Sequence, residues 1–274
     1  MKKNFVIMPF CMMFFLLACT PRENVSRDGY PEMESNTITT NTYLVNVNGY
    51  EYNDFTINRN GIITGYTGQA VDIVIPSEIA GITIVGIGEN AFVGTLFCEE
   101  FGAPIFQRDI LLGSVIIPNT VISIGDGAFA ENRLTNVILP NTLISIGVNA
   151  FGHNQLTSVA IPESVTIIGD SAFAGNQLTS VTISGSVTSI GTAAFWSNQL
   201  TSIVIPDSVI SIGDGAFAVN PLESITIGNN VELERIPFPF TFERSFDNNF
   251  DDFYIANGKR AGTYVFSNAQ WSIR

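Results

Sequence analysis

Apolar and polar residues recur with a period of 22 residues along the middle of the chain, from Ser114 to Gly228. Each unit reads approximately I-P-x-[ST]-V-x-S-I-G-x-x-A-F-x-x-N-x-L-T-x-V-x-I, so one phenylalanine, one glycine and one asparagine return in nearly every unit. Segments such as Leu178–Ile183 alternate apolar and polar residues over their last four positions, which predicts a half-buried strand. Val187 and Ile190 predict a second, short extended stretch, and Ala194-Phe195 predicts a short 3-10 turn that fills the core.

A single unit cannot fold by itself, because burying about seven apolar side chains does not offset the entropy lost on ordering 22 residues. Stacked units bury a continuous core and pair their strands with the next unit. This period and the Leu-x-x-Val-x-Ile segment predict a leucine-rich repeat solenoid. The expected fold is mostly β, with 22-residue coils, a parallel concave sheet, short 3-10 turns on the back and small β caps at both ends.

Two breaks in the period predict departures from the regular coil. The distance from Phe92 to Phe129 exceeds one period by 15 residues, which predicts an inserted loop around residues 97–109. Five extra residues at Ile79–Thr83 predict a tight hairpin, with Ala80-Gly81 suited to its turn.

Five segments follow from these patterns and from the composition of the flanks. They are a signal peptide (1–18), a polar tether (19–42), an N-terminal β-hairpin cap (43–70), the solenoid (71–230, with an insertion at about 95–110) and an aromatic-rich C-terminal cap (231–274). A second hairpin is expected inside the last segment, from Gly262–Phe266 and Trp271–Arg274.

The first 19 residues have the features of an export signal. Lys2 and Lys3 precede an apolar run, and Leu16-Leu17-Ala18-Cys19 resembles the lipobox of bacterial lipoproteins. We expect cleavage before Cys19 and lipid on its thiol. An ordinary secretory signal and a membrane span are the alternatives, and the span is disfavoured because the run is short and contains Pro9.

The chain is acidic, with 12 basic and 25 acidic side chains and a formal net charge of −13. This charge argues against nucleic acid as a partner, because Lys and Arg supply the phosphate contacts. Contact with a membrane is therefore expected only through lipid on Cys19. The same acidity keeps an exported solenoid soluble, and we expect a monomer.

The sequence offers little for catalysis or for metal binding. Its one histidine, His153, occupies a variable turn position of the repeat, where we expect an exposed residue. The strand columns contain no His, Cys or paired carboxylates, so neither an acid–base pair nor a metal site is predicted there. We therefore predict no catalytic residue, no metal and no cofactor.

The repeat motif resembles that of the BspA-like leucine-rich repeat family of bacterial surface proteins. The resemblance rests on units such as Ile161–Phe173 and Leu178–Ile183, and it extends over about 71–228. One departure is that these coils read Phe-x-x-Asn-x-Leu, where the common family form has a cysteine and one more residue before the leucine. The resemblance implies a non-enzymatic surface protein, and several members are regarded as adhesins for host matrix or other cells.

Two functions remain open from the sequence. The first is a lipid-anchored cell-surface module that binds a protein or glycan partner, and the second is a passive envelope component without a ligand. The candidate binding surface combines the strand positions that face outward with aromatic residues of the insertion: Ile116, Ile138, Ser158, Ser180, Thr182, Phe97, Phe101 and Phe106. The alternative for Ile116 and Ile138 is that the inserted loop folds over them and makes them core.

Overall fold

The computed structural model describes residues 37–38, 54–98, 103–107, 111–234 and 250–274. For 37–38, 95–98 and 103–107 it describes the backbone alone. The signal peptide with Cys19, most of the tether, Phe101 and the phenylalanine-rich segment 235–249 lie outside the described residues.

Each coil contributes two short parallel strands, which we call the front strand and the back strand. The front strands are β4 (Asp72–Val74), β10 (Ser114–Ile116), β12 (Val137–Ile138), β14 (Ser158–Ala160), β16 (Ser180–Thr182), β18 (Ser202–Val204) and β20 (Ser224–Ile227). The back strands are β7 (Gly86–Ile87), β11 (Ser123–Ile124), β13 (Ser145–Ile146), β15 (Ile167–Ile168), β17 (Ser189–Ile190), β19 (Ser211–Ile212) and β21 (Glu232–Leu233). The described residues therefore form about seven stacked coils, as the period predicts.

The remaining elements are hairpins, one edge strand and one helix. They are β1 (Thr37–Ile38), β2 (Phe55–Asn58), β3 (Ile62–Tyr66), β5 (Glu78–Ile79), β6 (Ile82–Thr83), β8 (Thr95–Cys98), β9 (Ala103–Gln107), α1 (Phe250–Ala256), β22 (Gly262–Ser267) and β23 (Gln270–Ile273). The predicted hairpin turn at Ala80-Gly81 is confirmed, with φ angles of 51° and 80°. The insertion, expected as a loop, contains an antiparallel hairpin of β8 and β9. Thr37–Ile38, assigned to the tether from the sequence, pairs with β2.

The back strands form the more continuous sheet, although the sequence predicts only a short stretch there. Ten strands follow one another from β1, β2 and β3 through the back strands to β21. The front strands fall into three groups: β4 with β10 and β12, β14 with β16, and β18 with β20, β22 and β23. The predicted stretch at Val187 and Ile190 is present as β17, but two residues are too few to show alternation, so the continuous pairing of these strands is not evident from the sequence.

The glycine that follows most back strands is required by the close approach of neighbouring coils. Gly169 donates its N–H to the carbonyl of Ile146 in the preceding coil at 3.2 Å. A Cβ atom at Gly169 would lie 2.7 Å from the backbone of Gly147. Glycine is therefore required because the coils approach closely at this point, and not because the backbone is left-handed.

The turn after this glycine is closed by i→i+3 hydrogen bonds. The N–H of Ala172 bonds to the carbonyl of Gly169 (3.3 Å), and that of Ala174 bonds to Ser171 (3.0 Å). Ser171 between them has a φ of 54°. The expected 3-10 segment is thus two linked single turns, because a left-handed residue interrupts any longer helix.

The core between the two sheets is a stack of parallel phenylalanine rings. Centroids of neighbouring rings lie 5.0–5.5 Å apart with interplanar angles of 4–11°, and all six rings are fully buried. The stack consists of Phe92, Phe129, Phe151, Phe173, Phe195 and Phe217. Tyr66 of β3 continues it at the N-terminal end, with its ring 5.5 Å from that of Phe92.

The C-terminal end is covered by α1 and the hairpin of β22 and β23. Phe250 packs edge-on against Tyr264 and Trp271, with centroids 5.3 and 5.0 Å away. The hydroxyl of Tyr254 donates to the carbonyl of Gly228 at 2.6 Å and accepts the N–H of Val231 at 3.2 Å. The hairpin is the one predicted from the sequence, whereas the helix is not predicted.

Candidate binding surface

The outward-facing side chains of the front strands form regular columns across the coils. Val115, Val137 and Val159 alternate inward and are buried to 4–5% exposure, so the residues on either side of each point outward. This alternation places the five described members of the predicted surface, Ile116, Ile138, Ser158, Ser180 and Thr182, on the front strands.

Ile116 and Ile138 are direct neighbours in the front sheet. They are register partners of parallel strands β10 and β12, and 62% and 75% of their surfaces are exposed. Val74 of β4 is the register partner of Ile116 on its other side and is half-buried. The exposure of the two isoleucines disagrees with the alternative in which the insertion shields them as core.

The column continues with smaller and more polar residues toward the C-terminal coils. Ala160 pairs with Thr182, and Ser158 pairs with Ser180, all of them exposed. Val204 in β18 is again apolar and 63% exposed. The front sheet thus offers an aliphatic patch at its N-terminal side and a hydroxyl-rich region beside it.

The predicted aromatic part of the surface is only partly located. Phe97 and Phe106 lie in the backbone of the β8–β9 hairpin, where Phe97 pairs with Pro104 and Leu96 pairs with Phe106. Phe101 lies outside the described residues. The structure thus brings the strand residues of the predicted surface together, whereas the side chains of the three phenylalanines lie outside its description.

The surroundings of the front columns carry little charge. The sequence has no Lys or Arg between Leu134 and Glu234. The acidic residues of this stretch include Glu163 and Asp170, which lie between the strands, and Asp170 accepts the N–H of Thr192 at 2.8 Å. The described residues contain no group of three or more His, Cys, Asp or Glu side chains arranged to hold a metal ion.

His153 is half-buried, not exposed as the sequence analysis expects. Its φ of 53° belongs to a left-handed position that recurs in the neighbouring coils, at Glu131, Gly175 and Ser197. Its ring lies over Gly175, where a Cβ atom would come within 2.7 Å of Nδ1. The coils share the left-handed backbone angle at this position and no side-chain function, so the residue type varies.

A second group of exposed isoleucines, in or directly before the back strands, is not predicted from the sequence. Ile122, Ile144 and Ile167 are 43%, 55% and 56% exposed, and Ile144 bonds through its N–H to the carbonyl of Ile122. Ile167 pairs with Ser145 in the adjacent coil. The signal that could reveal these residues is the position before the repeated serine, which holds isoleucine at Ile122, Ile144 and Ile210, while Ile167 stands at the serine position itself.

The fold and the repeated columns define a parallel-stranded solenoid of the leucine-rich repeat type. The chain belongs to the BspA type leucine rich repeat family, whose profile matches residues 99–223 and 145–271 with six copies of the repeat. The resemblance noted in the sequence is thereby confirmed. No curated protein matches the chain.

Solved structures of other repeat proteins are similar. A leucine rich cell surface protein from Faecalibacterium prausnitzii is 28% identical, with 68% of this chain and 55% of that protein covered and a TM-score of 0.46. The pneumococcal vaccine antigen PcpA is 21% identical, with 65% and 49% covered and a TM-score of 0.52, which supports the fold. The leucine rich repeat protein TpLRR of T. pallidum is 22% identical, with 68% and 77% covered and a TM-score of 0.37. The chain spans about half the length of the first two proteins.

Proposed function

We propose that the chain is a lipid-anchored bacterial surface protein whose front sheet binds a protein or glycan partner without catalysing a reaction. The observation that carries this proposal is the pair of Ile116 and Ile138, which are registered neighbours and remain 62% and 75% exposed. An apolar centre that a partner can desolvate is what a binding hot spot requires. The aliphatic character of the patch favours a protein partner over a glycan.

The two isoleucines form too small a patch to give micromolar affinity by themselves. Burying an isoleucine contributes about 1.5–3 kcal/mol, so the pair supplies about 3–6 kcal/mol. Micromolar affinity requires about 8 kcal/mol. The hydroxyl groups of Ser158, Ser180 and Thr182 would supply further contacts, and their neutral surroundings avoid repulsion from the acidic chain.

The proposal is tested with the exported part of the chain against immobilised matrix proteins, glycans and whole cells. We expect saturable binding that Ile138→Asp abolishes, with a thermal midpoint within a few degrees of the unsubstituted protein because the site is exposed. Val204→Asp is the matched control, since Val204 lies on the same column at similar exposure but three coils away. If Ile138→Asp binds the partner as strongly as Val204→Asp does, the binding site does not include Ile138.

A passive envelope component is the second candidate. It is favoured by the near uniformity of the first outward-facing column of the front strands, which holds Ser in five of the seven coils, Asn136 in one and Asp72 in the first. A selected ligand site is expected to break such a column. The absence of saturable binding to every surface in the screen would support this role.

The membrane anchor forms a separate part of the proposal. Its support is the sequence Leu16-Leu17-Ala18-Cys19. Separately, no helix within the described ranges is long and apolar enough to cross a bilayer. We expect labelled fatty acid on the protein, and its loss together with membrane association in Cys19→Ala. The Cys98→Ser variant is the control and should keep both, whereas membrane retention of Cys19→Ala would contradict the anchor.

A further inference from the structure

The front strands are short, because proline follows closely after most of them. Pro140, Pro162 and Pro206 each stand two residues beyond the end of a front strand, after β12, β14 and β18. Proline has no N–H to donate to a neighbouring strand, so the pairing does not continue through it. Each pair of front strands is therefore held together by only a few backbone hydrogen bonds, and where these few are missing the two strands are not joined.

Pairing of the front strands is interrupted at two places, which we call the seams. The first seam lies between β12 and β14, and the second lies between β16 and β18; the described front strands are not paired across either. The back strands of the same coils are paired without a break, β13 with β15 and β17 with β19. Strand pairing therefore joins the coils on either side of a seam at the back and not at the front.

Equivalent backbone groups in neighbouring coils show the second seam directly. The N–H of Ile161, one residue after β14, donates to the carbonyl of Thr182 in the next coil at 2.8 Å. The N–H of Ile205 makes the equivalent bond at 2.7 Å. Within the described coils, Ile183 at the same position of the repeat does not make this bond to the coil that follows it.

Bonds before and after the strands limit the second seam to the front of the coil. The N–H of Gln199 donates to the carbonyl of Leu178 at 2.9 Å, at the corner that precedes the front strands. The hydroxyl of Ser208 donates to the carbonyl of Val187 at 2.7 Å, at the corner that follows them. The seam is therefore a short slot in the front face, closed at both corners and at the back.

The hydrophobic core is partly uncovered at the second seam. Val181 of β16 packs against the core but is only half-buried. Val159 and Ile203, at the same position of the neighbouring coils, are 5% and 3% exposed. Segments with few backbone hydrogen bonds and incomplete burial open locally at a lower free energy than the rest of a protein. The second seam has both of these features.

We propose that the solenoid flexes at the two seams, with the front strands moving apart while the continuous back sheet acts as the hinge. The front face then consists of three blocks, namely β4 with β10 and β12, β14 with β16, and β18 with β20 and the C-terminal hairpin. Opening lengthens the front face relative to the back and changes its curvature. Ser180 and Thr182 of the candidate surface border the second seam, but the flexing itself does not depend on the proposed function.

The test is thiol labelling of buried positions in the folded full chain. Val159 borders the first seam, whereas Val115 lies in β10, which is paired on both sides, and the two side chains are 5% and 4% exposed. In a Cys98→Ser background, a rigid solenoid would expose Val159→Cys and Val115→Cys at the same rate, only through global unfolding. We expect methyl methanethiosulfonate to modify Val159→Cys at least about tenfold faster, as followed by mass spectrometry.

The second seam offers an equivalent pair. Ile203 borders this seam, whereas Ile225 lies in β20 between two paired strands, and they are 3% and 0% exposed. We expect Ile203→Cys to react at least about tenfold faster than Ile225→Cys. Hydrogen exchange gives a measure without substitution, and the amide of Ile183 should exchange at least about tenfold faster than that of Ile161.

Two controls separate local opening from other causes of labelling. The Cys98→Ser chain without an introduced cysteine gives the background rate. Urea unfolding of each variant shows how far the substitution itself lowers the free energy of unfolding, because global unfolding exposes every thiol. The proposal is overturned if Val159→Cys and Ile203→Cys react no faster than Val115→Cys and Ile225→Cys, or faster only in proportion to a loss of global stability.

Discussion

At the residue scale, a buried asparagine that recurs in five coils joins the backbone of its own coil to that of the preceding coil. Nδ2 of Asn176 donates to the carbonyls of Phe151 and Phe173 at 3.0 Å and of Ala174 at 3.2 Å, while Oδ1 accepts the N–H of Leu156 at 3.1 Å. The side chain is only 7% exposed, so these groups have no ready access to water. The sequence shows that this asparagine recurs but does not show its burial, because polar residues in a turn are ordinarily exposed.

This burial gives the asparagine a measurable effect on stability. Asn176→Ala removes the partner of the Leu156 N–H and of several carbonyls, and each unsatisfied buried group costs about 1–3 kcal/mol. We expect urea unfolding to show a loss of about 3 kcal/mol in the free energy of unfolding. Gln177→Ala, one residue along and exposed, should change it by less than about 0.5 kcal/mol. Equal effects of the two substitutions would mean that the asparagine bonds are dispensable.

At the element scale, the C-terminal cap is fixed to the last coil through a buried phenol. Burial raises the pKa of Tyr254 above its ordinary value of 10.0, and the backbone bond from Val231 only partly opposes this. The folded state therefore favours the neutral phenol, which donates to Gly228. The stabilisation is complete below pH 10 and is lost as the pH rises through the folded-state pKa.

This shift predicts alkaline weakening of the cap. We expect the free energy of unfolding, followed by near-ultraviolet circular dichroism of the cap aromatics, to fall above pH 10 by at most about 1.4 kcal/mol per pH unit for this tyrosine. Tyr254→Phe should cost about 1 kcal/mol at neutral pH through the lost hydrogen bond and should fall less steeply above pH 10. The pKa of Tyr264 is also raised by burial, so Tyr264→Phe is the comparison. If the free energy of unfolding of Tyr254→Phe falls as steeply above pH 10 as that of the unsubstituted protein, the ionisation of Tyr254 does not weaken the cap.

The sequence predicts those elements whose signals are local. Ala80-Gly81 has a turn signature, and the hairpin around it is present. Helix Phe250–Ala256 is missed because its seven residues are rich in aromatic and acidic side chains and carry no clear helical period, so that packing against Tyr264 and Trp271 decides its conformation. The candidate surface follows from the alternation of the front strands, whereas the sequence leaves the exposure of Ile116 open, because shielding by the insertion is a non-local contact that no local pattern shows.

At the scale of the whole molecule, stability is expected to come from contacts between neighbouring coils. The ring of Phe173 contacts those of Phe151 and Phe195 at centroid distances of 5.4 and 5.5 Å. The buried asparagines and the paired back strands likewise join neighbouring coils. A linear array of this kind couples adjacent units directly and distant units only through those between them.

This arrangement predicts which pairs of core substitutions are additive. Phe173→Ala alone should cost about 3–5 kcal/mol through the cavity that it leaves, so the milder Phe→Leu change suits pairwise measurement. Phe173 and Phe195 are in contact, and substituting both with leucine should deviate from the sum of the single effects by at least about 0.5 kcal/mol, because the second residue repacks into space that the first has left.

Phe129→Leu with Phe195→Leu is the matched control, since Phe151 and Phe173 lie between these two rings. Their effects on the free energy of unfolding should add to within about 0.5 kcal/mol. Urea titrations of the three single and two double variants measure both quantities. A linear array transmits a change in packing only to the next coil. Equal coupling energies for the adjacent and the separated pair would therefore contradict this model and show that the core responds as a single unit.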